Sequence, residues 1–192
     1  MKRVIILLIL SLFSICAFAQ EHLKIKGVPI DGKVSTMVAK LKATGLTTHP
    51  DSKPSLPMLK GSFAGLSDCA FGFQTDDDNN VIRVAVVSDD YPSWFSLKNR
   101  WEDLKEVYME KYPDNKIYEF FLDPYEDGDG YELQAIRLEK GFYRAFFFAP
   151  EGTISISIKA NGSKGYFSIV YEDAINMEKY TSERDKSIKD EI

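Results

Sequence analysis

The chain has 192 residues, of which 44% are hydrophobic; 24 Lys and Arg stand against 29 Asp and Glu, a formal net charge of −5. That length suits one compact domain, or two small units sharing a core. The acidic balance leaves no electrostatic footprint for nucleic acid and disfavours anionic membrane surfaces, since both need clustered Lys and Arg.

Residues 1–19 read as a secretory signal peptide. Lys2 and Arg3 form a basic start, residues 4–15 are apolar except for Ser11 and Ser14, and Ala17-Phe18-Ala19 supplies a small-x-small cleavage site before Gln20. The run is too short to span a bilayer and a polar segment follows at once, so no transmembrane segment is expected. Cleavage removes Lys2 and Arg3, which moves the charge from −5 to −7, and 173 of the 192 residues remain. It also removes Cys16, leaving Cys69 as the single cysteine and no internal disulfide. A lipid anchor on Cys16 is the lesser alternative, because Ile15 stands where a small residue is usual.

Leu23, Ile25 and Val28 alternate with lysines and predict a short strand ending at Pro29. Val34, Met37, Val38 and Leu41 then mark one helical stripe, with Asp31 as its N-cap and Gly45 as its stop. Residues 47–57 carry three prolines and predict a loop. Strands follow at 58–64, 69–75 and 81–88, the last two joined by the turn Asp76-Asp77-Asp78-Asn79-Asn80. Trp94, Leu97, Trp101, Leu104 and Tyr108 recur every three or four residues, a second helix capped by Ser93 and stopped by Pro113. Strands are expected at 117–122, 131–138, 142–149, 153–159 and 166–171, and the charged segment 181–192 reads as a flexible tail. The expected fold class is therefore α+β: two helix-then-antiparallel-meander units, residues 20–90 and 91–180, with helices on one face of the sheet.

Two turns set the faces of the last sheet. Pro150-Glu151-Gly152 fits a three-residue hairpin with Gly in the left-handed position, which pairs Ala149 with Thr153. Asn161-Gly162 fits a type I′ turn pairing Ala160 with Ser163. Together they place Phe142, Phe146, Phe148, Ile154, Ile156, Ile158, Phe167, Ile169 and Tyr171 on the core face. The opposite face then carries Tyr143, Phe147, Ser155, Ser157, Tyr166 and Ser168, the candidate binding residues. Aromatic rings give contact area at low entropy cost and serines adapt their hydrogen bonds. Register is decisive: a one-residue change at the Pro150 turn exchanges the faces of residues 142–149.

No catalytic constellation stands out. Cys69 alternates with Phe71 and Phe73, which predicts a buried thiol. His22 and His49 stand in no motif with a nucleophile, and G-x-S-x-G is absent. The acidic runs at 76–80 and 123–130 suit turns; the second lacks the spacing of an EF-hand, with Gln134 where Glu is needed. Trp94 and Trp101 fall on the helix's core stripe rather than on a sugar-stacking platform. No metal, cofactor or catalytic residue is expected.

Gly27-Val28-Pro29-Ile30-Asp31-Gly32 before an amphipathic helix, the ending Ala17-Phe18-Ala19-Gln20 of the signal segment, and the closing Val170-Tyr171-Glu172-Asp173-Ala174-Ile175-Asn176 resemble small exported proteins of Bacteroidota. Their helix-plus-antiparallel-strand units look like the repeats of β-lactamase-inhibitor-protein-like folds. The resemblance implies a periplasmic or extracellular protein and, by analogy of fold, a sheet face that binds a protein; no catalytic residue carries over. The expected function is a non-enzymatic module recognising a protein or envelope component through an open sheet face. The alternative is a small secreted hydrolase or glycan-active protein whose carboxylate site assembles only in space.

Overall fold

A computed structural model describes residues 21–191; the expected signal peptide and Ile192 lie outside them. The fold is α+β, as the order of segments predicts, with a large antiparallel sheet and helices packed against it. Residues 24–29 form a small hairpin rather than one strand. Its two strands, β1 (Lys24–Ile25) and β2 (Val28–Pro29), fold at Lys26 and Gly27, which both adopt positive φ. Helix α1 (Val34–Ala43) buries Met37 and Leu41 and stops where Gly45 takes φ of 97°. Asp31 does not cap it: Lys33 holds that position without a side-chain bond, and Asp31 instead pairs with Lys40 at 2.8 Å.

Strands β3 (Thr47–Thr48), β4 (Leu59–Phe63), β5 (Leu66–Thr75) and β6 (Val81–Val87) form one meander. Strands β7 (Asn115–Phe121), β8 (Gly141–Ala149), β9 (Gly152–Asn161) and β10 (Lys164–Asp173) form another. They join side by side through β6 and β10, in the order β3-β4-β5-β6-β10-β9-β8-β7. Residues 20–90 and 91–180 thus contribute to a single sheet. Helix α2 (Trp94–Lys111) carries the chain from β6 in the middle to β7 at the far edge. Ser93 caps it by accepting the Ser96 N–H at 3.2 Å. Its stripe of Leu97, Trp101, Leu104 and Tyr108 is buried against the sheet.

Two segments differ from expectation. Residues 131–138 contain a helix, α3 (Glu132–Arg137), not a strand. Glu, Leu, Gln and Ala are strong helix formers, and the helical turn brings Ala135 and Ile136 into the core while Leu133 reaches over Gly165. The segment expected to be a flexible tail is helical instead: α4 (Ala174–Glu191) buries none of its residues. Its start is held by Asp173, whose carboxylate accepts the Asn176 N–H at 2.9 Å. The Asn176 side chain in turn donates to the carbonyls of Ile30 and Val81.

The β8–β9 hairpin also differs, and the difference moves side chains between faces. Ala149 pairs with Gly152 across a two-residue turn, Pro150-Glu151, so Phe147 faces Ile154 and Phe148 faces Thr153. Gly152 is not the turn's left-handed residue. It lies at φ 154° beneath β10, where an added Cβ would sit 2.1 Å from the Glu172 carbonyl oxygen. The β9–β10 turn is Gly162-Ser163, with φ of 61° at Gly162 in the first central position, a type II′ geometry. Ile156 therefore pairs with Ile169 and Ile154 with Tyr171. That register is two residues from the expected one, so the faces of β9 and β10 are unchanged. Only β8 is inverted.

Candidate functional site

The two faces of the sheet are chemically distinct. On the helix side, Phe71, Val84, Val86, Tyr143, Ala145, Phe147, Ile154, Ile156, Ile158, Phe167, Ile169 and Tyr171 belong to one core. Tyr143 and Phe147, expected on the open face, are thus core residues. Tyr143 packs edge-on against Trp94 at 4.8 Å and Trp101 at 5.9 Å between ring centres. Phe147 is fully buried and packs on Tyr108 at 5.3 Å. The extra residue assumed in the Pro150 turn is what misplaced them.

Ser155, Ser157, Tyr166 and Ser168 do lie on the other face, half-buried. Their neighbours are Phe142, Arg144, Phe146 and Phe148 of β8, then Lys116, Tyr118 and Phe120 of β7. Tyr118, Phe120 and Phe148 are 44%, 43% and 37% exposed, high for rings of this size. Two ring pairs stand on this face: Phe120 stacks on Phe142 at 4.9 Å and Tyr118 meets Phe146 edge-on at 6.1 Å. Two cations lie over ring faces, Arg144 above Phe142 at 5.2 Å and Lys116 above Phe148 at 6.0 Å.

Side chains are large at the β7 end of this face and small at the β5 end. One row of directly paired residues runs Lys116, Phe146, Ser155, Val170, Ala85, Gly72. The rings crowd the β7 edge, and the small residues leave a trough of about 620 Å³ over β5, β6, β9 and β10. Leu56 and Met58, from the loop before β4, rim it. At one end Arg83 pairs with Glu172 and donates to Gln74 Oε1 at 3.0 Å.

The missed residues are Tyr118 and Phe120. Their strand was predicted, but its face was not, because the β7–β8 connection contains α3 and no short turn sets the register. Their alternation with Ile117 and Phe121 is the signal that a known pairing would have made readable.

The acidic loops serve their own backbone. Asp76 accepts from the Asn80 N–H and side-chain amide at 2.7 and 2.8 Å, Asp129 from the Glu126 and Tyr131 N–H groups, and Glu132 from the Gly128 N–H. Asp127 joins its loop to α2 by accepting from Trp94 Nε1 at 2.8 Å and from Lys98. Among the described residues no three His, Cys, Asp or Glu converge as metal ligands. Cys69 is fully buried, and burial pushes its thiol up to about 11, so the thiolate is scarce at neutral pH. Among the described residues no helix is long and apolar enough to cross a membrane. No family model, curated protein or solved structure matches the chain.

Proposed function

We propose that the protein is an exported, non-enzymatic binding module that receives an extended segment of a partner protein along β7 and the adjoining aromatic face. The observation that carries this reading is the position of the rings: Tyr118 and Phe120 are exposed on the terminal strand of the sheet. A terminal strand offers main-chain donors and acceptors on its outer side, and an added strand takes them up while alternate side chains select the sequence. Tyr and Phe at such an edge supply apolar contact, and Arg144 and Lys116 complement an acidic or aromatic side chain in the partner. The net charge of −5 argues for a polypeptide over an anionic lipid surface. Export rests on the signal-like residues 1–19.

Panning displayed random peptides against the protein tests the reading. Selected peptides should bind the parent and lose about tenfold or more in affinity against a Tyr118→Ser, Phe120→Ser double variant. Hydrogen exchange should slow in β7 when peptide is bound. Peptides indifferent to the double variant would overturn the proposal. So would a concentration-dependent dimer that protects β7 without any peptide, since the occupant would then be a second copy.

A further inference from the structure

A second cavity, about 410 Å³, opens on the helix side of the sheet. It lies on the opposite face from the aromatic edge. The β1–β2 turn supplies Lys26, the β4–β5 hairpin supplies Phe63, the last turns of α2 supply Val107, Tyr108 and Lys111, and β10 supplies Tyr171. Its walls are mainly apolar, and its size falls within the usual range for small-molecule sites.

Three polar groups line it with hydrogens to spare. Tyr108 and Tyr171 place their hydroxyl oxygens 2.7 Å apart. One hydroxyl donates to the other, which uses one of two hydrogens; no acceptor among the described residues takes the second. The second hydrogen is thus available to an acceptor that enters the cavity. Burial pushes the Tyr108 hydroxyl up to about 12 and Tyr171 higher still, so both keep their hydrogens at neutral pH. Lys26 donates one long bond, to the Ser62 carbonyl at 3.3 Å, and Lys111 sits over the Tyr112 ring at 5.2 Å. Neither pairs with a carboxylate among the described residues, whereas Lys24, which also lines the cavity, is taken by Glu21 at 2.7 Å. Both ammonium groups at the rim of this apolar cavity are therefore open to an anion that enters it.

We propose that this cavity binds a small organic monocarboxylate: its apolar body lies against Phe63 and Val107, and its carboxylate is held by Lys26, Lys111 and the tyrosine pair. Charge-assisted bonds from two ammoniums and a hydroxyl satisfy the spare donors together. A neutral ligand of the same shape accepts from the same donors without the charge that strengthens the ammonium bonds. The site stands independently of the partner-binding reading.

Calorimetric titration with 4-phenylbutyrate and its uncharged amide, 4-phenylbutanamide, tests this. The acid should bind at least about tenfold tighter than the amide, and higher salt should narrow the difference. A Lys26→Gln, Lys111→Gln double variant, altered only at exposed side chains, should remove that preference while unfolding like the parent. A Tyr108→Phe, Tyr171→Phe double variant, which keeps both rings and removes both hydroxyls, should weaken the acid about tenfold. Amide NMR shifts should centre on Phe63 and Val107. Equal affinity for acid and amide, an undiminished preference in the lysine variant, shifts centred on Phe120 and Phe148, or no binding of the acid at concentrations on the order of millimolar would each overturn the proposal.

Discussion

Adjacent phenylalanines on β8 provide a direct test of the register that separates core from open face. Phe147 is fully buried between Tyr108, at 5.3 Å, and Tyr112, at 6.4 Å, and pairs with Ile154. Phe148, one residue on, points the other way and is 37% exposed. Truncating Phe147 to Ala removes a buried ring, worth about 1.5–3 kcal/mol in transfer, and leaves a cavity that close-packed neighbours fill only in part. The expected loss is about 3–5 kcal/mol. Truncating Phe148 removes a partly solvated ring and opens no closed cavity, so the expected loss is below about 1 kcal/mol. At roughly 2–4 °C per kcal/mol for a chain of this size, Phe147→Ala should lower Tm by about 6–20 °C and Phe148→Ala by only a few degrees. Urea denaturation with unchanged m-values would confirm that both variants report stability. A larger loss from Phe148→Ala than from Phe147→Ala would refute the two-residue turn and restore the inverted face.

Three further outcomes follow from single contacts. Asp173 is fully buried and accepts from the Leu23 N–H at 2.8 Å, His22 Nδ1 at 3.0 Å and the Asn176 N–H at 2.9 Å; Asp173→Ala should cost about 2–4 kcal/mol and speed exchange of the Leu23 amide. Gly152→Ala would place its Cβ against the rigid Glu172 backbone and should cost at least about 2 kcal/mol, read as a lower urea midpoint. Burial raises Glu119, but bonds from Lys105 and Trp101 outweigh it and leave the carboxyl below its ordinary value. The unfolded chain then binds more protons as pH falls through about 4.3, so stability present above that pH should decline below it, less steeply in Glu119→Gln, as followed by urea midpoints from neutral pH to about pH 3.

Elements held together by local rules were legible in the sequence. The α2 stripe repeats every three or four residues and Ser93 caps it, and both features depend only on neighbours along the chain. The faces of β9 and β10 were readable because parity survives a two-residue shift. What escaped depends on distant partners. Gly152 has the composition of a turn glycine, but the Glu172 carbonyl oxygen, twenty residues away in sequence, is the reason for its small size. Around α3, apolar residues at 131, 133 and 135 imitate a strand, and helix propensity wins there together with packing on β8 and β9. Asp173 starts α4 while also tethering Leu23, a contact 150 residues apart that no local pattern signals. The candidate site inherited the same error: four of its six expected residues lie on the open face, and the two on β8, Tyr143 and Phe147, do not, because one turn residue decided their side.

The chain's route accounts for the uncovered face and for where its rings gather. After β6 the chain must reach β7 at the opposite end of the second meander, and α2 makes that crossing on the side of Trp101, Leu104 and Tyr108. Helices α1 and α3 add to the same core, while α4 buries nothing. Among the described residues no helix buries side chains against the other face, α4 meeting it only beside Glu172, yet its outermost strand carries Tyr118 and Phe120, with Lys116 the one lysine of the kind that blunts a sheet edge. An exposed aromatic edge invites association, and Lys116 and Glu119 are the only charges along the seven residues of β7. Selection against aggregation alone favours polar residues at 118 and 120. Their aromatic character thus argues for a surface kept available to a partner, and replacing both with serine separates that role from stability because neither ring is part of the core.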